Sequence, residues 1–273
     1  MGEDKAQKQY RGRLAPTPSG YLHEGNIKTF QVAMQRANNA NGKLFLRIDD
    51  LDSARCKQEY VDACFEDLTC AGLVYDNLPS TDFADGICKQ SYRMQFYLDA
   101  LQELIKTGLI YPCNRTRSEI RMAGIKSHSG DEAIFPEKWR SRFDYQAGDP
   151  YSIHQNWRVI TNWGERIEFR DGRLGEIDFE MGKDFSDFLV WRKDGFPAYE
   201  LATVVDDHLM EITEIVRGED LLVSSARQCV LFAALNWAPP QFYHCELVLD
   251  QKGRKLSKSE KNTQNQFGPL SES

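Results

Sequence analysis

Two stretches of this chain hold side chains suited to polyphosphate chemistry. The first is Pro16-Thr17-Pro18-Ser19-Gly20-Tyr21-Leu22-His23-Glu24-Gly25-Asn26. It falls between a strand pattern and a helix pattern, so free backbone N–H groups and the helix dipole would face an incoming anion. His23 and Asn26 can donate hydrogen bonds to phosphate, and Gly25 leaves room for a nucleotide to approach the backbone. The plainer reading is a Pro/Gly turn and an N-cap with one surface histidine. The second stretch is Lys255-Leu256-Ser257-Lys258-Ser259, preceded by Lys252 and Arg254. Lys255 and Lys258, three apart in a loop, can close over a polyphosphate and neutralise charge developing on it. Taken alone, this stretch could equally be a solvated basic tail.

The elements that must position these groups follow from hydrophobic period and turn residues. A strand over 11–15 precedes the Pro-rich turn. A helix from about Gly25 to Ala40 follows, closed by Gly42, and Leu44–Ile48 reads as a short apolar strand. Helical spacing returns at Val61, Cys64, Phe65 and Leu68, then at Met94, Leu98, Leu101 and Ile105. This order predicts a parallel sheet covered by helices. From Tyr111 to about Lys183 the pattern changes to short alternating runs at 157–160, 166–169 and 176–179, which read as antiparallel strands of an insertion. The sheet pattern is expected to resume at 188–192, 202–207 and 214–217. A helix over Ser225–Asn236 and an apolar run at 245–249 lead into the basic loop.

Composition excludes several classes. With 41% hydrophobic and 27% charged residues among 273, the chain is an ordinary globular sequence rather than a disordered one. Its 34 Lys and Arg against 41 Asp and Glu argue against nucleic-acid binding by bulk charge, though not against a local basic patch. No run approaches ~18 apolar residues, so no transmembrane helix is expected. The polar N-terminus is neither a secretory nor a transit signal, which makes the expected location cytoplasmic. The seven scattered cysteines form no Cys-x-x-Cys and are expected as reduced thiols.

Together, the two phosphate-type stretches resemble the HIGH and KMSKS signatures of class I aminoacyl-tRNA synthetases. Arg13-Leu-Ala-Pro-Thr-Pro-Ser-Gly, Leu46-Arg-Ile-Asp-Asp-Leu-Asp followed by Arg55, Ile215-Val-Arg-Gly-Glu-Asp, and Arg227-Gln228 are similar to the glutamyl subfamily. The Val204-Val-Asp-Asp-His208 run and the short stretch after the lysine loop look most like glutamyl-Q-tRNA(Asp) synthetases, truncated paralogues that glutamylate queuosine. The implied fold is α/β: a Rossmann-like nucleotide-binding domain with a parallel sheet, split by an inserted α+β subdomain. Its expected segments are 11–110 and 186–250 for the two halves of the catalytic domain, 111–185 for an acceptor-binding-like insertion, and 251–273 for the lysine loop and tail.

The implied activity is formation of glutamyl-adenylate from L-glutamate and ATP with Mg²⁺, then transfer to a tRNA, with queuosine of tRNA(Asp) preferred as acceptor. The alternatives are the catalytic domain of a glutamyl-tRNA synthetase, charging the 3′ end of tRNA(Glu), and a synthetase-like binding module without catalysis. The resemblance assigns His23, Gly25, Asn26 and Lys258 to ATP, and Lys255 with Lys258 to the departing pyrophosphate. It assigns Arg13 and Arg217 to the glutamate carboxylates, Asp49 to the α-ammonium, and Ala15, Thr17 and Tyr199 to further substrate contacts. Asp49 stands where the glutamyl family usually carries Glu. A neutral glutamine would leave Arg217 without its anion, which favours glutamate.

Bacterial glutamyl-Q synthetases typically bind zinc in the insertion. Here Tyr111-Pro-Cys113 keeps one of the first two thiols, and Phe135 and Trp139 stand where Tyr and Cys would be. One thiolate does not supply the four ligands of a structural site, so no zinc is expected and apolar packing is expected to replace it. Arg115, Arg117, Arg121, Arg140 and Arg142 bias the insertion towards positive charge and could meet RNA phosphates or be ordinary solvated arginines. A monomer without a membrane partner is expected. The residues after Ser259 are too few for an anticodon-binding domain.

Overall fold

The computed structural model describes residues 9–76, 88–127, 133–141, 143, 145–146 and 150–248. In chain order the elements are β1 (Arg11–Leu14), α1 (Glu24–Asn39), β2 (Lys43–Ile48), α2 (Gln58–Cys70), β3 (Cys88–Lys89), α3 (Met94–Thr107), β4 (Ile110–Pro112), α4 (Arg117–Met122), β5 (Trp157–Val159), β6 (Arg166–Asp171), β7 (Gly175–Glu180), β8 (Leu189–Trp191), α5 (Tyr199–Leu209), β9 (Glu214–Gly218), α6 (Leu222–Ala234) and β10 (Gln241–Cys245). They divide into two compact units, the first holding the described residues up to 92 with 211–219 and 240–248, the second those of 93–210 and 220–239.

The first unit is an α/β layer. β1 pairs parallel with β2, β2 with β3, and β9 with β10. Parallel strands need crossovers, and helix α1 between β1 and β2 supplies one. Its apolar positions Ile27, Phe30, Ala33 and Ala37 recur at helical spacing and bury against Leu14, Leu44, Leu46 and Val216. The connection back to β2 runs close to the start of β1. A Cβ on Gly42 would lie 2.6 Å from the Tyr10 carbonyl oxygen, so this position admits only glycine. At the same end of the layer, Glu214 accepts Nε and Nη2 of Arg36 at 2.7 and 2.6 Å and the Tyr10 hydroxyl at 2.8 Å. That triad fastens the last turn of α1 to the start of β9. Burial first and the neighbouring Glu214 second push the Tyr10 phenol well above its ordinary range.

The second unit mixes helices with antiparallel strands. β4, β5 and β8 form one three-stranded sheet, and β6 and β7 form a hairpin. α3 ends at Gly108, whose φ of 69° is the left-handed conformation that stops a helix. The carboxylate of Asp187 collects donors from distant parts of the chain: the Tyr111 hydroxyl at 2.7 Å, Nε and Nη2 of Arg140 at 2.7 Å each, and N–H and Oγ1 of Thr161 at 3.0 and 2.8 Å. Asp206 likewise accepts Arg93 Nε at 2.7 Å and the Tyr97 hydroxyl at 2.9 Å. Burial and then Asp187 raise the Tyr111 phenol far above its ordinary range. Phe135 packs on Tyr111 and, edge-on, on Trp139, beside buried Cys113 and Ile120.

Two sequence expectations change. The run 202–207 is not a strand but the middle of α5, which is buried on every side from Glu200 to Asp207. A helix without a polar face loses the period that distinguishes it from a buried strand. The segment 188–192 forms β8 of the antiparallel sheet rather than a return to the parallel one. The last strand among the described residues is Gln241–Cys245, which ends where the apolar run 245–249 begins.

Candidate functional site

The turn after β1 and the cap of α1 build the first half of the site. His23 is the N-cap residue. Its Nδ1 accepts the Asn26 backbone N–H at 3.3 Å, and its own N–H donates to Asn26 Oδ1 at 3.2 Å. This reciprocal capping box satisfies two helix-end donors. It also settles the chemistry of both side chains. An imidazole whose Nδ1 accepts offers Nε2 as its donor. An Oδ1 that accepts leaves the Asn26 Nδ2 as a donor. The plain reading and the chemical one therefore coincide: the cap that starts the helix orients two donors at its positive end. Gly25 lets the ring pack closely, since a Cβ there would lie 3.1 Å from His23 Nδ1. His23, Gly25 and Asn26 are each half-buried.

The second half lies along the strands. Arg13 on β1 and Arg217 on β9 are each 5% exposed. Nη1 of Arg13 donates to the carbonyl of Val216, the residue before Arg217, at 3.2 Å, so the two guanidinium-bearing positions are neighbours. The Arg217 guanidinium stands over the Phe242 ring at 5.3 Å. Asp49, at the end of β2, is 6% exposed, and its N–H donates to the Pro16 carbonyl at 3.0 Å, tying it to the Pro-rich turn. Ala15 and Thr17 lie half-buried in that turn.

Thus Arg13, Ala15, Thr17, His23, Gly25, Asn26, Asp49 and Arg217 all belong to the first unit. Tyr199 does not. It opens α5 in the second unit and is 45% exposed. Lys255 and Lys258 lie outside the described residues. Among those described, no group of three or more His, Cys, Asp or Glu side chains is gathered to hold a metal ion.

Of the insertion arginines, Arg140 is turned inward to Asp187, and Arg115 pairs with Glu119 at 2.9 Å while standing over the Trp139 ring. Arg117 and Arg121 are exposed on α4. No helix among the described residues is long and apolar enough to cross a membrane.

Comparison with known proteins places this arrangement. The family of class I tRNA synthetases (E and Q), catalytic domain, matches residues 9–270. The chain belongs to this family. It is 36% identical to a glutamyl-Q tRNA(Asp) synthetase of Nitratidesulfovibrio vulgaris over 91% of this chain and 77% of that one. It is 34% identical to glutamate–tRNA ligase 1 of Helicobacter pylori over 90% of this chain. The chain spans about half the length of that ligase, 51%. A glutamate tRNA ligase from Elizabethkingia meningosepticum, crystallised with its amino acid, superposes with a TM-score of 0.76 at 28% identity, over 92% of this chain and 52% of that one. The α/β fold with its parallel sheet is thus the Rossmann-like catalytic fold of the family.

One residue near the site went unassigned in the sequence. Arg47, 1% exposed, holds Asp49 with both ends of its guanidinium, Nε to Oδ1 at 2.6 Å and Nη2 to Oδ2 at 3.2 Å. The signal was its spacing of two from Asp49, which puts both on one side of the extended chain at the end of β2.

Proposed function

We propose that this chain joins L-glutamate to ATP as glutamyl-adenylate and passes the glutamyl group to a tRNA. The observation that carries the reading is the pair of buried arginines, Arg13 and Arg217, on adjoining positions of β1 and β9. A planar guanidinium binds a carboxylate bidentately, and a substrate with two carboxylates calls for two such groups. Asp49 offers the anion for its ammonium. In this reading His23 Nε2 and Asn26 Nδ2 donate to the phosphates of ATP at the positive end of α1. The α-carboxylate of glutamate attacks the α-phosphorus, the bond to the bridging oxygen breaks, and pyrophosphate leaves with the electron pair. Lys255 and Lys258 stabilise that departing charge. The substrate carboxylate is already ionised, so no residue has to act as base. Mg²⁺ enters with ATP as part of the nucleotide substrate.

The acceptor proposed is queuosine of tRNA(Asp), supported by the glutamyl-Q relative and by the Val204–His208 run. The insertion 111–185, with Arg117 and Arg121 exposed, is the proposed face for RNA. The glutamate–tRNA ligase relatives support the second reading, transfer to the 3′ end of tRNA(Glu).

ATP–pyrophosphate exchange with glutamate or glutamine, in the absence of tRNA, tests the reading. Glutamate-dependent exchange is expected. Exchange with glutamine instead would overturn the role given to Arg13 and Arg217. Exchange that appears only with tRNA(Glu) would replace the queuosine acceptor by the 3′ end. Absence of exchange under all conditions would leave a binding module.

A further inference from the structure

Arg47 and Asp49 form a buried ion pair at the end of β2. An arginine is rarely this deeply buried unless paired, and its partner here is the carboxylate proposed to meet the substrate ammonium. We propose that Arg47 is a positioning residue for amino-acid recognition: by gripping both oxygens of Asp49 it sets the direction in which that carboxylate receives an α-ammonium group. This rests on the reading of Asp49 given above.

The geometry carries it in three ways. The grip is bidentate, through Nε and Nη2, so it fixes the plane of the carboxylate and not only its position. It takes one acceptor direction at each oxygen, of the roughly four that an ionised carboxylate has. The Asp49 N–H also donates to Pro16 O, which anchors the main chain on the other side. An aspartate is one methylene shorter than a glutamate and has fewer rotamers to search. Held at main chain and carboxylate together, it presents a fixed acceptor.

The chemistry gives a discriminating probe. Glutarate is glutamate without its amino group, so it needs Arg13 and Arg217 but not Asp49. In glutamate-dependent pyrophosphate exchange, Arg47→Lys should raise the KM for glutamate at least tenfold and leave the KM for ATP within twofold. Lysine keeps the charge but offers a point donor rather than a planar fork. Inhibition by glutarate should change less than threefold in the same variant, a pattern that general loss of structure would not give. Parallel weakening of glutamate and glutarate would overturn the proposal, as would an unchanged KM for glutamate. If Arg47→Lys does not fold by its thermal midpoint, Arg47→Gln, which keeps a single donor, decides by the same two constants. Failure of the wild-type protein to exchange with glutamate would instead sink the function on which the proposal rests.

Discussion

The two units differ in where buried charge collects. In the second, donors gather around single carboxylates: Asp187 draws in Tyr111, Arg140 and Thr161, and Asp206 draws in Arg93 and Tyr97. The first has one such clamp, Glu214 with Arg36 and Tyr10, but guanidiniums also gather on its strands, with Arg13, Arg47 and Arg217 all buried. A carboxylate ringed by donors from distant segments is a clamp on the chain's own fold. Arginines collected on the strands of a Rossmann-like layer suit an anionic substrate. The lesson is that burial of charge alone does not mark a site; the sign that accumulates, and the elements it accumulates on, do.

The sharpest way to break this contrast is Asp187→Ala. Removing the carboxylate leaves Arg140 and three neutral donors without it, and breaking such a buried pair costs about 3–5 kcal/mol. Urea unfolding should show that loss; a change below about 1 kcal/mol would mean that Asp187 is no clamp. Arg217→Ala should do the reverse, sparing much of the fold while lowering kcat/KM for glutamate by about 10²–10³, or roughly 3–4 kcal/mol. Steady-state exchange checks it, and a drop confined to the KM for ATP would move Arg217 out of the amino-acid site.

His23 sharpens the comparison because it serves both fold and chemistry. His23→Ala should lose the cap, about 1 kcal/mol, together with the activation rate. His23→Asn keeps an acceptor at the N-cap and should restore stability but not rate. Equal rates in His23→Asn and wild type would reduce the imidazole to a cap. The smallest effect concerns pH. Tyr10 and Tyr111 are both held protonated in the folded state, above the ordinary phenol value of 10.0. Unfolding therefore lets them ionise, so their contribution is full below pH ~10 and falls as pH rises beyond it. Tyr111→Phe should flatten the alkaline limb of the stability curve between about pH 10 and 11.5. An unaltered limb would place the ionising groups elsewhere.

Much of the first unit could be read in advance. Turn residues and the period of Ile27, Phe30, Ala33 and Ala37 locate α1, and the short apolar run locates β2 within a residue. The side chains placed by motif in this unit fall on its strand ends and helix cap. α5 was not legible, because Leu201, Val204 and Val205 are buried alongside Glu200, Asp206 and Asp207, and a helix covered all round carries no amphipathic stripe. Arg47 was not legible as a buried group either. Sequence shows a charge at a strand position but not the partner that allows it inside. The inward turn of Arg140 has the same cause, since its partner Asp187 lies far along the chain.

Helix α1 joins two parts of the first unit. At one end stands His23 over Gly25; at the other, Arg36 is bolted to Glu214, the opening residue of the strand that carries Arg217. Sixteen helical residues make a strut about 24 Å long. A rod of that stiffness, fixed at both ends, acts as a gauge block. The spacing between the helix cap and the arginine strand is machined into the fold before any ligand arrives, so little alignment remains to be done on binding.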